Sequence, residues 1–149
     1  MPLSATTIAT AIAGITVPGV AFKNISTFAD ANFSRDVPVF APNPENWLSG
    51  SLSTLQTFGL ASTRFWLVER TFSYIYLHAQ IGSTRTLSDS FTALSNNMDL
   101  IWEALLELDI PDIDVISVAW SKPATVTDPS GAQFVGISCE IGFREKVNA

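Results

Sequence analysis

The sequence predicts an α+β fold in which a mainly antiparallel sheet packs against one long helix, with a short helix at the N-terminus. Three observations lead there. Residues Phe65 to Ala79, FWLVERTFSYIYLHA, alternate with period two, as a strand does. Leu87, Phe91, Leu94, Met98, Ile101, Leu105 and Leu108 step by four and three, the apolar stripe of an amphipathic helix, and Trp102 widens it. Thr125 to Val147 reads as a hairpin about Asp128-Pro129-Ser130-Gly131, with Asp, Pro and Gly where a type I turn wants them. Strands grouped around one helix, without regular strand-helix alternation, favour an antiparallel sheet with the helix on one face.

Taken in order, Ile8, Ile12 and Ile15 recur at i, i+4 and i+7, so residues 1–20 hold a short helix with Ser4 as N-cap, ended by Pro18-Gly19. Residues 36–62 read as an extended Pro/Ser-rich arm or loop. Prolines 38, 42 and 44 make Asp36 to Asn46 an edge strand or a surface crossing, because proline cannot donate to a ladder. Ser49 to Ser62 is uncharged and rich in Ser, Thr and Leu, an arm or loop whose leucines dock on the fold or on another copy. The strand from Thr63 to Ala79 would extend about 56 Å at ~3.3 Å per residue, so it bends or protrudes. Glu69-Arg70 interrupts its apolar alternation and marks a bulge, a bend or a change of environment. Thr86 and Asp89 form a capping box before the long helix, and Pro111 stops it. Ile113 to Trp120 alternates as a further strand. In the last strand Val135, Ile137, Cys139, Ile141 and Phe143 share one face, and Gly136, Ser138, Glu140, Gly142 and Arg144 share the other.

The 149 residues suit a single domain spanning 1–149. Charged residues make up 15% of them, against about 25% in typical soluble domains. A surface this short of charge meets lipid or other protein. Met1 to Phe22 lacks charge and is long enough to span a membrane, but Ser4, Thr6, Thr7, Thr10, Gly14, Thr16 and Pro18 make insertion unfavourable or near neutral. No basic residue precedes Lys23, so a signal peptide would lack its n-region. No membrane role is expected. Self-association remains, and it answers a question that the long strand raises. Phe65, Leu67, Ile75 and Leu77 point one way, and Trp66, Val68, Phe72, Tyr74 and Tyr76 the other, so the strand is apolar on both faces. The helix covers one face, and a neighbouring copy is expected to cover the second.

Catalytic chemistry has little material. A net charge of -6 with scattered Lys and Arg disfavours phosphate binding, and the aromatic face lacks the basic surroundings of a base-stacking platform. His78 is the single histidine, at the end of the aromatic strand. A Cys139-His78 pair is the one nucleophile arrangement the composition permits, but Cys139 lies on an apolar strand face where a thiol is inert. No glycine-rich phosphate loop occurs. Asp109, Asp112 and Asp114 around Pro111 read as a solvated acidic turn sooner than a cation site. No enzyme activity, cofactor or metal is expected. Glu69-Arg70 is an inter-strand or inter-subunit ion pair, or an exposed rung of a bent ladder.

The order of these features is similar to a known family. RDVPVFAPNPENWLSG, then TRFWLVERTFSYIYLHAQIGSTRTLSDSF, the long helix, and TVTDPSGAQFVGISCEIGFREKV together resemble tail-terminator (tail-completion) and neck proteins of tailed bacteriophages, over Arg35 to Val147. The more specific pieces are the Pro-rich stretch before the aromatic strand and the D-x-x-G hairpin leading to F-x-E at Phe143 to Glu145. The N-terminal helix and Ser49 to Ser62 have no counterpart in that pattern. The resemblance implies a ring-shaped homo-oligomer, a hexamer, that caps the tail tube and joins it to the head or neck. Its partners would be further copies, the tail-tube protein and neck or connector proteins, and its place the virion, after assembly in the host cytoplasm. DNA would pass through the lumen without specific binding. Subunit contacts are expected at Trp66, Phe72, Tyr74 and Tyr76, with Leu52 and Leu55 of the arm, and Asp36, Glu45 and Glu69 are candidates for the lumen wall. Two other readings stay open: another ring of the same particle, such as a neck or tail-tube component, and a small-molecule binder using His78 and Tyr76.

Overall fold

The computed structural model describes residues 5–23, 38–43, 47–58, 63–80, 87–111, 113–121, 124–127 and 133–148. Among them the fold is α+β, with a mainly antiparallel sheet of seven strands and two helices. Two long strands form its axis. β4 (Thr63–Gln80) and β7 (Gln133–Asn148) pair antiparallel along nearly their whole length, with one register shift between Leu77 and Ala79. The free edge of β4 is shared by two strands lying end to end, β3 (Leu48–Phe58) against Thr63 to Phe72 and β2 (Val39–Pro42) against Tyr74 to Leu77. β7 is flanked in the same way, by β5 (Ile113–Trp120) along Cys139 to Glu145 and by β6 (Ala124–Thr127) along Gln133 to Gly136. The two-residue β1 (Ala21–Phe22) joins β2 in parallel.

The helices follow their sequence patterns. α1 (Ala5–Ala13) buries Ile8, Ala9 and Ile12, and α2 (Leu87–Leu106) buries Leu94, Ile101 and Leu105. After α1 the chain turns at Val17-Pro18-Gly19-Val20, where the Val20 amide donates to the Val17 carbonyl at 3.1 Å and Gly19 has φ of 80°. Pro at the second position and a positive-φ Gly at the third are the demands of a type II turn. Ser4, Thr86 and the Asp128 to Gly131 turn lie outside the described residues.

Both helices cover one face of the sheet. Against Ile8, Ile12, Leu94, Ile101 and Leu105 pack Phe40 of β2, Phe72, Tyr74 and Tyr76 of β4, and Ile137, Cys139, Ile141 and Phe143 of β7. Phe40 stacks on Tyr74 with centroids 5.1 Å apart and planes 4° from parallel, while Phe72 meets Phe143 edge-on at 5.5 Å. The opposite face has its own smaller cluster, where Val39 lies across from Leu77 and Ala41 across from Ile75, with Phe134 beside them.

Four expectations change here. The second apolar face is not left for a neighbour: Ile75 is 6% exposed and Leu77 fully enclosed, because β2 and Phe134 bring apolar side chains to the same patch. β2 is no edge strand, since β1 pairs with it on the far side and all four of its residues are buried. Ladder register runs unbroken through Glu69-Arg70, so there is no bulge there; the shift falls at His78 instead. The segment taken for an arm or loop contains β3, whose own irregularity lies between Leu48 and Gly50.

Candidate assembly surface

β4 outruns the helices. Its 18 residues extend about 59 Å at ~3.3 Å each, whereas the 20 residues of α2 span about 30 Å. Among the described residues, the helix-covered cluster takes nothing from β4 before Phe72. Thr63 to Arg70, with β3 on one side and Arg144 to Asn148 of β7 on the other, therefore form a ribbon leading away from that cluster.

This division separates the aromatic residues that alternation places together. Phe72, Tyr74 and Tyr76 are fully buried in their own subunit, so the expectation that they contact a neighbour is corrected: they are core. Trp66 alone of the four keeps 39% of its surface exposed. Leu52 and Leu55 belong to β3 at register positions opposite Glu69 and Trp66, so both fall within the ribbon. Of the lumen candidates, Asp36 and Glu45 lie outside the described residues. Glu69 accepts two hydrogen bonds from the Arg144 guanidinium, at 3.0 and 3.3 Å, on the neighbouring strand. Arg70 reaches Glu145 at 4.0 Å, so the Glu69-Arg70 pair serves two inter-strand ion pairs.

Leu48 of β3, Leu100 of α2 and Ile116 of β5 are also exposed, and a further region that exposes large apolar groups was not flagged by the sequence. Trp102 and Leu106 of α2, one turn apart, are 45% and 49% exposed. A signal was present, because Trp102 broadens the apolar arc beyond what one buried face requires and Leu106 continues that edge at i+4. Leu106 also lines an open depression of about 440 Å³ with Leu108, Ile110, Pro111, Val115 and Lys146. Asp109 and Asp114 reach the same depression, whereas Asp112 lies outside the described residues.

The groups considered for chemistry are disposed otherwise. Tyr76 and His78 are buried on one side of β4, the hydroxyl 2.7 Å from Nδ1, and Asn97 of α2 donates to that hydroxyl at 2.9 Å. Burial pushes the Tyr76 hydroxyl up to about 12, with Asn97 opposing. Tyr74 is likewise raised to about 12 by burial. The neighbouring Trp47 indole opposes this. Cys139 lies opposite Tyr74, four residues along β4 from His78 and so roughly 13 Å away. Burial first and the adjacent Glu140 second raise its thiol to about 12, which leaves it protonated and unreactive near neutral pH. Among the described residues no cluster of His, Cys, Asp and Glu has metal-binding geometry, and no helix is long and apolar enough to cross a membrane. No family model and no curated protein matches the chain.

Proposed function

We propose that the chain is a structural subunit of a tailed-bacteriophage virion, a tail terminator that closes into a ring, a hexamer on the family resemblance, capping the tail tube and joining it to the neck. The observation that carries this reading is the exposure of large apolar groups on separate elements, Trp66 on the ribbon and Leu100, Trp102 and Leu106 on α2, with Leu48 of β3 and Ile116 of β5 besides, in a chain that is only 15% charged. A subunit with two different adhesive surfaces associates head to tail, and head-to-tail contacts that close give rings. The resemblance over Arg35 to Val147 supplies which kind of ring. A neck or tail-tube subunit is the nearest competing reading, since those proteins share the resemblance.

The test is the particle that the purified protein forms, alone at high concentration and with isolated tail tubes, imaged in negative stain. Single rings, free or seated on tube ends, support a terminator. Long tubes indicate a tube protein, and a strict monomer that ignores tail tubes sinks the reading.

A further inference from the structure

β5 is the outer strand on its side of the sheet. Among the described residues it pairs with β7 and with nothing beyond. Its eight residues include neither Lys nor Pro, which guard open edges elsewhere, and Asp114 is its one charged residue. Asp114, Ile116, Ser117 and Ala119 are all exposed. An open edge presents unpaired backbone N–H and C=O groups, and an added extended chain satisfies them. The register shift at Ile116 leaves residues 117–120 as a regular stretch of that edge.

The depression of about 440 Å³ opens where the same edge begins, against the last turn of α2. Ile113, Asp114 and Val115 all line it. Ile113 and Val115 belong to the helix-covered cluster, whereas Asp114 lies across from Arg144 on the other face. Successive residues that point to opposite faces reach one hollow only at the margin of a strand, so the depression follows the margin of β5. Leu106 and Leu108 form its side toward α2. Its charge is mixed, with acid in excess: Asp109 and Asp114 against Lys146, whose ammonium lies 4.6 Å from the Phe65 ring centroid. Arg144, across the ladder from Asp114, gives its guanidinium to Glu69. Glu107 adds an exposed carboxylate between the two leucines.

We infer that β5 takes an extended, basic segment of another protein as an added strand. The segment pairs along residues 117–120 and passes over the depression, where an apolar side chain enters beside Leu106 and Val115 and a basic one meets Asp109 or Asp114. Main-chain hydrogen bonds give such a contact its affinity, and the hollow gives it a choice of sequence. A second copy of this chain is a poorer occupant. None of the outer strands that it could offer, β1, β3, β5 or β6, contains Lys or Arg, so none brings the positive charge that the acidic rim favours. The contact does not depend on ring closure.

The test uses the full chain and a dye-labelled synthetic nonapeptide, capped at both ends, that alternates lysine with valine around a central leucine. Fluorescence anisotropy should show saturable binding. Replacing every lysine by glutamate, or methylating alternate backbone nitrogens of the peptide, should weaken it by about tenfold or more. Leu106→Ser, and Asp109→Asn with Asp114→Asn, change exposed positions and should each weaken binding by about threefold to tenfold, with circular dichroism confirming the fold. Backbone amides of β5 should gain protection from hydrogen exchange in the complex, and those of β3 should not. Absence of binding overturns the inference. So does binding that methylation and Leu106→Ser leave unchanged, which is adsorption of a cationic peptide on an acidic surface, or protection gained at β3 in place of β5. Protection of β5 that rises with protein concentration in the absence of peptide makes a second copy the occupant, and equally overturns it.

Discussion

The two halves of β4 have the same alternation and unequal cover. From Phe72 to His78 every described side chain is buried, under both helices on one face and within the Val39, Ala41 and Phe134 cluster on the other. From Phe65 to Arg70 cover is only partial: Phe65 and Val68 are buried, yet Trp66 is 39% exposed, and Leu67, Glu69 and Arg70 keep partial access to solvent. Period two tells which side chains share a face. It does not tell how far along the strand a covering layer extends, and that extent separates core from contact surface.

The largest effect that would break this contrast is a reversal of roles between Phe72 and Trp66. Phe72→Ala removes a ring packed between Trp47 and Phe143 and should cost about 3–5 kcal/mol, read as a lower urea midpoint. Trp66→Ala should change subunit stability by about 1 kcal/mol or less while abolishing assembly. A ring variant that unfolds at Trp66, or one that folds normally at Phe72, would erase the distinction.

Alkali should find the covered half next. Tyr74, Tyr76 and Cys139 all lie there, each with its folded pKa raised to about 12 from ordinary values of 10.0, 10.0 and 9.0. A raised pKa means that the native state holds its proton more tightly than the unfolded chain, so this stabilisation is complete below pH 9 and is lost as pH climbs from about 9 to 12. The urea midpoint should fall through that window, and Tyr74→Phe should flatten the fall. Native Cys139 should resist alkylation at pH 8 and react once the protein is unfolded.

A smaller effect belongs to the rung where the halves meet. Gly142, opposite Thr71 on β4, lies under the Ser117 side chain of β5, and an added Cβ would run into the Ser117 hydroxyl. Gly142→Ala should cost about 1 kcal/mol, the price of moving that hydroxyl to a poorer rotamer. Ser117→Ala in the same chain should recover most of the loss, a coupling that a double-mutant cycle measures.

Much of this architecture was legible because strong periodicity decided it. The long strand was expected at Thr63 to Ala79 and runs Thr63–Gln80; the last helix was expected from Leu87 and begins there; Ile113 to Trp120 is a strand end to end. β3 was not legible. Leu48, Leu52, Leu55 and Phe58 step by four, three and three, closer to a helical period than to alternation, and the segment becomes a strand because β4 offers an unpaired edge beside it. The candidate surface was half legible for the same reason. Alternation groups Trp66 with three aromatics that the helices claim, and Trp102, which widens the apolar stripe, stands at the margin of the buried arc and is exposed.

The smallest expected effect compares two ion pairs on adjacent rungs of the ribbon. Glu69 and Arg144 meet at 3.0 Å with side chains 40% and 45% exposed, where water and salt screen the attraction. Arg144→Met should therefore alter subunit stability by no more than about 0.5 kcal/mol and less still in 0.5 M salt. Arg70 and Glu145, at 4.0 Å, are longer but more enclosed, the Glu145 side chain only 4% exposed. Arg70→Met withdraws positive charge from a buried carboxylate and should cost more, on the order of 1–3 kcal/mol, with little salt dependence. If the exposed pair proved the costlier of the two in urea titrations at both salt levels, enclosure would not govern the energetics of the ribbon, and the division of β4 by its covering layer would lose its physical basis.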